Sequence, residues 1–219
     1  MNRNVGLWSS VAVTASVVLF ASCMIAGQDY GAYAMSMLIS WAYLLLACSF
    51  SATSRSSETV AAQAGVAFGI LYAGFVTTVY FVQLTTVLHQ SAGPDILKVL
   101  TYRELGSLMF NLDLLGYGLM SISTFFIGLT VIASNRADSW LRLLLLMHGI
   151  FAPMCLALPI LDVFAAMPRS SGDATGVVVL LFWCAYFTPV GVLALRHFAS
   201  KPLSVAHAVP SPMPTPKVV

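Results

Sequence analysis

Apolar residues run along this chain in six long blocks separated by short polar breaks. About 20 apolar residues wound as a helix cross the hydrocarbon of a bilayer, where no water remains to bond the backbone. By that measure segments 5–27, 32–50, 60–88, 105–133, 140–161 and 175–195 predict six transmembrane helices, an all-α polytopic bundle occupying residues 1–200. The third and fourth blocks exceed one crossing, so they are expected to tilt or to project beyond the membrane.

The breaks carry their own information. SATSRSSET and SNRADS are short and polar, and the turn at Gln28 to Gly31 is tighter still, which makes helices one to three and four to five antiparallel neighbours. The longest connection runs from His89 to Glu104, and Pro94 with Asp95 marks a helix start inside it. Ile96, Leu97, Val99 and Leu100 give that piece an apolar side, predicting a short interfacial helix or an extension of the fourth span. Residues 201–219 hold Pro202, Pro210, Pro212, Pro214 and Pro216 with little to bury, and read as a disordered tail.

Composition removes the competing classes. Of 219 residues, 59% are hydrophobic and 8% charged, against roughly 25% charged in soluble domains. A chain this short in water would leave large apolar patches exposed, whereas lipid accepts them. The net charge of +2 comes from scattered basic residues with no stripe to neutralise phosphates, so nucleic acid is not an expected partner. Cys23, Cys48, Cys155 and Cys184 fall in apolar stretches without CxxC spacing and read as packing residues; no metal or cofactor is expected.

Lysine and arginine set the orientation, because positively charged short loops resist translocation. With the amino terminus inside, Arg3, Arg55, Arg136, Arg142, Arg196, Lys201 and Lys217 are cytoplasmic and Lys98, Arg103 and Arg169 external. Both ends are therefore expected in the cytoplasm. The first block also ends in LFASC after a short basic start, which leaves open a cleaved signal segment with lipid on Cys23.

Charge within a bilayer is expensive, so an acidic residue inside a span must face protein or water. Asp113 is such a residue, about two turns or 10 Å below the outer end of the fourth block at 1.5 Å per residue. Its helical face continues through Gly116, Tyr117, Met120, Ser121, Thr124 and Gly128, the small and polar stripe that suits close helix packing. The third block offers Gly65, Gly69, Ala73, Val76, Tyr80, Gln83 and Val87. Its Gly65/Gly69 GxxxG is a seam for a neighbouring helix or for a second chain, and Gln83 or Tyr80 is placed to bond the Asp113 carboxyl. On the fifth block His148, Ala152, Cys155, Pro159 and Asp162 share a face, and Pro153 with Pro159 predicts a kink.

Several chemistries are argued down. His89 and His148 lie at different depths, which does not suit a haem held by two histidines. HExxH, GxSxG and a phosphate-cradling loop are absent. The strings YFVQLTTV, from Tyr80 to Val87, and FNLDLLGYGLMSISTFFIGL, from Phe110 to Leu129, resemble a group of uncharacterised bacterial multi-spanning membrane proteins. The resemblance implies a bundle of the bacterial cytoplasmic membrane in which Gln83, Asp113, Gly116 and Tyr117 recur together, and it implies no activity.

The leading expectation is a transport, binding or accessory component for a small solute or proton, with an outward-facing polar pocket around Asp113, Gln83, Tyr80 and Tyr117 and a further polar group at His148. Two others stand beside it. One is a membrane-embedded enzyme using Asp113 with His89 or Glu104. The other is an assembly subunit without chemistry, contacting partners through the Gly65/Gly69 seam and the tail.

Overall fold

The structure is a computed structural model that describes residues 2–166 and 172–200. The tail at 201–219 and the residues Arg169, Lys201 and Lys217 lie outside those described. Helices α1 (Asn2–Ile25), α2 (Asp29–Ser51), α3 (Thr59–Val82), α4 (Pro94–Leu100), α5 (Leu108–Thr130), α6 (Arg136–His148), α7 (Phe151–Ile160) and α8 (Gly172–Ser200) follow in order. Six helical stretches are long and apolar enough to cross a membrane, with α6 and α7 together forming one of them. The chain is an all-helical, multi-pass bundle.

The six spans close into a ring. Packing runs α1 on α2, α2 on α3, α3 on α5, α5 on α6 and α7, α6 on α8, and α8 back on α1, with α2 also meeting α5 across the middle. Asn2 and Ser200 are at one end of the ring, where the Arg3 guanidinium donates to the carbonyls of Phe198 (2.9 Å) and Ala199 (3.1 Å). Those carbonyls lie in the last turn of a helix, where the macrodipole favours a cation. The opposite end carries α4, and we call the two the termini end and the α4 end.

Local sequence explains where each helix stops. Gly27 takes φ +65° after α1, with Gln28 N–H on the Cys23 carbonyl (2.8 Å) and Gly27 N–H on Met24 (3.2 Å), the Schellman closure that glycine permits. The hydroxyl of Ser107 accepts from Phe110 N–H and starts α5 three residues later than the apolar block alone suggested. Asn135 does the same for α6 by accepting from Asp138 N–H at 3.0 Å. The fourth span also stops at Thr130, because residues from Val131 are extended.

The kink expected in the fifth span falls at Gly149–Ile150, between α6 and α7, where both residues keep right-handed helical angles but bond three residues back, Gly149 N–H to Leu146 and Ile150 N–H to Met147 (both 3.1 Å). Pro153 has no N–H for the Gly149 carbonyl, which accepts from Ala152 N–H at 3.2 Å instead, so the helix tightens there. The third span remains helical to Val87, but Gln83–Val87 winds as a π-helix, with Leu88 N–H reaching the Gln83 carbonyl at 2.9 Å. Pro94 at the first position of α4 makes a separate short helix rather than an extension of α5.

In lipid, burial of apolar surface gives helices little reason to associate, so close approach and hydrogen bonds matter more. A Cβ at Gly65 would stand 2.7 Å from Cδ1 of Ile127 on α5, and one at Gly69 would stand 3.2 Å from the Ser123 hydroxyl. The GxxxG seam is thus occupied by α5 of the same chain, the neighbouring-helix alternative. Ser123 donates to the Gly65 carbonyl (2.5 Å) and accepts from Tyr43 (2.7 Å), tying α2, α3 and α5 at one point. Gly65→Leu is expected to lower stability in detergent by about 1–3 kcal/mol through overpacking. Gly74→Leu, on the exposed side of α3 with nothing near its missing Cβ, should leave the thermal unfolding midpoint unchanged.

Candidate functional site

Asp113 lies on α5 toward the α4 end and is 6% exposed. The ring forces its side chain inward, because Gly116 one turn on lets α3 come close enough for Val76 to fill the space. From α3, Tyr80 donates its hydroxyl proton to Oδ2 of Asp113 at 3.2 Å. Oδ1 of Asp113 has no partner and is out of reach of a water-sized sphere.

Aromatic rings shut the site. Tyr80 packs against Tyr33 (5.7 Å between centroids) and Tyr102 (5.8 Å), and Tyr33 meets Tyr102 edge-on at 5.4 Å. Tyr72 and Tyr117 continue the cage at 6.2 Å. The expected outward-facing pocket is therefore a closed chamber, because Tyr102 from the α4–α5 connection sits where its mouth would be. Burial pushes the Tyr102 phenol up, so it stays neutral beside Asp113. A groove of about 590 Å³, lined by Trp8, Ser9, Ala12, Leu38, Trp41 and Leu45, lies instead on the outside of the ring between α1 and α2.

Gln83 has a different role from the one expected. Its amide does not bond Asp113; it donates to the Leu100 carbonyl (2.8 Å) and accepts from Tyr102 N–H (3.1 Å). One side chain thus satisfies both exposed backbone groups of the turn that carries Tyr102. The π-helix that begins at Gln83 inserts an extra residue into the turn, a distortion frequent at functional sites. Arg103 holds the same connection to α2 through an ion pair with Asp29.

His148 is buried in the middle of the ring at the kink after α6. The Trp183 indole N–H donates to Nε2 at 3.1 Å. An indole can only donate, so Nε2 accepts and the ring proton sits on Nδ1, where it is donated to Thr124 Oγ1 at 2.9 Å. Thr124 in turn donates to the Ser121 carbonyl. This chain is complete only for neutral imidazole. Tyr117 meets Trp183 edge-on at 5.4 Å, which brings His148 near the Asp113 chamber in space, but an indole cannot pass a proton between them.

The enzyme partners do not converge. His89 is exposed and meets the Tyr30 ring, and neither His89 nor Glu104 supplies a partner to Asp113. Ser121 donates to the Tyr117 carbonyl rather than pairing with His148.

A second polar centre at the termini end escaped the sequence reading. His197 Nδ1 and Asp138 Oδ1 are 2.7 Å apart and both side chains are buried. The other carboxyl oxygen accepts from Ser134 N–H (3.2 Å) and the Asn135 amide (3.0 Å). Asp138 was read as part of a polar loop, and His197 fell past the expected end of the sixth span. The signal available was the spacing Trp183, Phe187, Val190, Ala194, Phe198 on α8, which places His197 on the inward side. Among the described residues no group of three or more His, Cys, Asp or Glu side chains is placed to hold a metal ion.

Comparison with protein-family models, curated proteins and solved structures gives no match. His148→Phe is expected to cost about 1–3 kcal/mol in thermal or denaturant unfolding, because it strands the buried Trp183 N–H.

Proposed function

We propose that this chain is a proton-linked binding or transport component of a bacterial cytoplasmic membrane, with both ends in the cytoplasm and Asp113 as its binding centre. The observation that carries the reading is the Asp113 carboxyl itself, closed inside a tyrosine cage with one oxygen left without a protein partner. Polar groups this deep in a membrane bundle are costly and are kept at ligand and proton sites. The bacterial setting rests on the resemblance of Tyr80–Val87 and Phe110–Leu129.

The charge distribution supports the orientation. Arg3, Arg55, Arg136, Arg142 and Arg196 belong to the termini end, and Lys98 and Arg103 to the α4 end. On this reading Asp113 faces the outer leaflet and the Asp138–His197 pair the inner one. Between them Leu141, Leu145, Phe187 and Val190 form a fully packed apolar layer beside His148. Passage thus requires the ring to flex, and the tightened turn at Gly149–Ile150 and the helix-interior Pro189 are the places where the regular α-helical bonding is interrupted.

The test is proton movement in proteoliposomes holding a pH-sensitive dye, driven by a potassium diffusion potential. Wild type should acidify or alkalinise the lumen according to the sign of the potential, and Asp113→Asn should fall to the level of empty vesicles. Equal flux in the two proteins, or none in either, would leave Asp113 as a tie between α3 and α5 and favour an assembly subunit.

A further inference from the structure

We infer that the ligand of the Asp113 chamber is a bare proton, held as a neutral carboxylic acid, and that it exchanges with the α4 side when the Tyr102 turn lifts. This rests on Asp113 being the binding centre and specifies what it binds. Three observations lead to it.

The first is size. Oδ1 cannot be touched by a sphere the size of water, and the surrounding tyrosine rings are in mutual contact at 5.4–6.2 Å. An organic cation, a hydrated ion or a polar solute has no volume to occupy there. A proton needs none.

The second is charge balance. No ion pair of the described residues includes Asp113, and its one hydrogen-bond partner is a neutral phenol. An ionised carboxylate would be a buried charge with a single donor, the costly case. A neutral acid reverses the 3.2 Å contact, so that Oδ2–H donates to the Tyr80 oxygen and the Tyr80 proton turns away from the carboxyl. What remains unbonded is a carbonyl-type oxygen, the least costly polar atom to leave alone.

The third is the exit. Tyr102 covers Tyr80 from a turn tethered by side chains, among them the Gln83 amide, the Arg103–Asp29 ion pair and the Ser107 hydroxyl on the Thr101 carbonyl (2.6 Å). Side-chain tethers can be broken without unwinding a span. Gln83 bonds only the turn and its own helix, so removing its amide loosens the cover while leaving the acid intact.

Infrared spectroscopy of the full chain in lipid tests this directly. At neutral pH the wild type should show a carboxylic acid C=O band that shifts on transfer to deuterium oxide, and Asp113→Asn should lack it. Gln83→Leu should keep the band and speed its isotope shift by about tenfold or more, from the loss of two hydrogen bonds. That variant also keeps the test decisive if Asp113→Asn does not fold. Absence of the band in wild type, or a shift rate unchanged in Gln83→Leu, overturns the inference. If the band is absent but choline or sodium ions raise the unfolding temperature of wild type and not of Asp113→Asn, Asp113 remains a binding centre for another ligand. That outcome separates failure of this inference from failure of the functional reading.

Discussion

Water is missing from the interior of a bilayer, and that single constraint organises this protein. Each buried hydroxyl, amide or ring nitrogen must find its partner within the chain, since nothing in the solvent can replace it. The serines and threonines solve this locally. Ser10 donates to Gly6, Thr14 to Ser10, Ser36 to Ala32, Ser49 to Leu45 and Thr78 to Gly74, each returning a proton to a carbonyl one turn back. Such back-bonds let a helix carry hydroxyls at almost no cost and without specifying any neighbour. They account for most of the polar character of these spans and for none of the architecture.

The architecture comes from the polar groups that cannot bond at home. Tyr43 reaches to Ser123 and Ser123 to the Gly65 carbonyl, Trp41 to Thr77, Tyr186 to the Leu144 carbonyl, Trp183 to His148, and Arg3 to the last carbonyls of α8. Each of these crosses a helix interface, and together they join neighbouring members of the ring. Glycines at the same interfaces bring the backbones near enough for the bonds to form, as where Ile127 packs into the space beside Gly65. Close approach and hydrogen bonding are here one device, because only a seam without side chains exposes a carbonyl such as that of Gly65 to a neighbour's hydroxyl.

Against that background the Asp113 chamber and the Asp138–His197 pair differ in kind. The pair is fully answered: its carboxyl takes donors from His197, Ser134 and Asn135, and it locks α6 to α8 at the termini end. The chamber is not, having one carboxyl oxygen without a donor; among the described residues Asn111 Oδ1, half a turn before it on α5, is the other buried side-chain oxygen without one. A structural tie would have been met as well by a hydroxyl or an amide. The shortfall in bonding at Asp113 is what sets it apart from the Asp138–His197 pair.

How much of this was legible in the chain depends on the range of the interaction involved. The six spans, the separate start at Pro94, the disruption by Pro153 and the inward placement of Asp113 beside Tyr80 all follow from periodicity, helix-breaking chemistry and the cost of charge in lipid. Those are properties of residues a few turns apart. The closure of the ring, the sealing of the chamber by Tyr102, the use of Gln83 as a clasp and the meeting of His197 with Asp138 required positions 17 to 195 residues apart to come together. A helix fixes which residues share a face, yet it does not say which neighbour that face will meet or how far a turn will fold back over it. That was decided by the packing of whole helices, where glycine-lined contacts set the distances and the need to satisfy every dry polar group chose the partners.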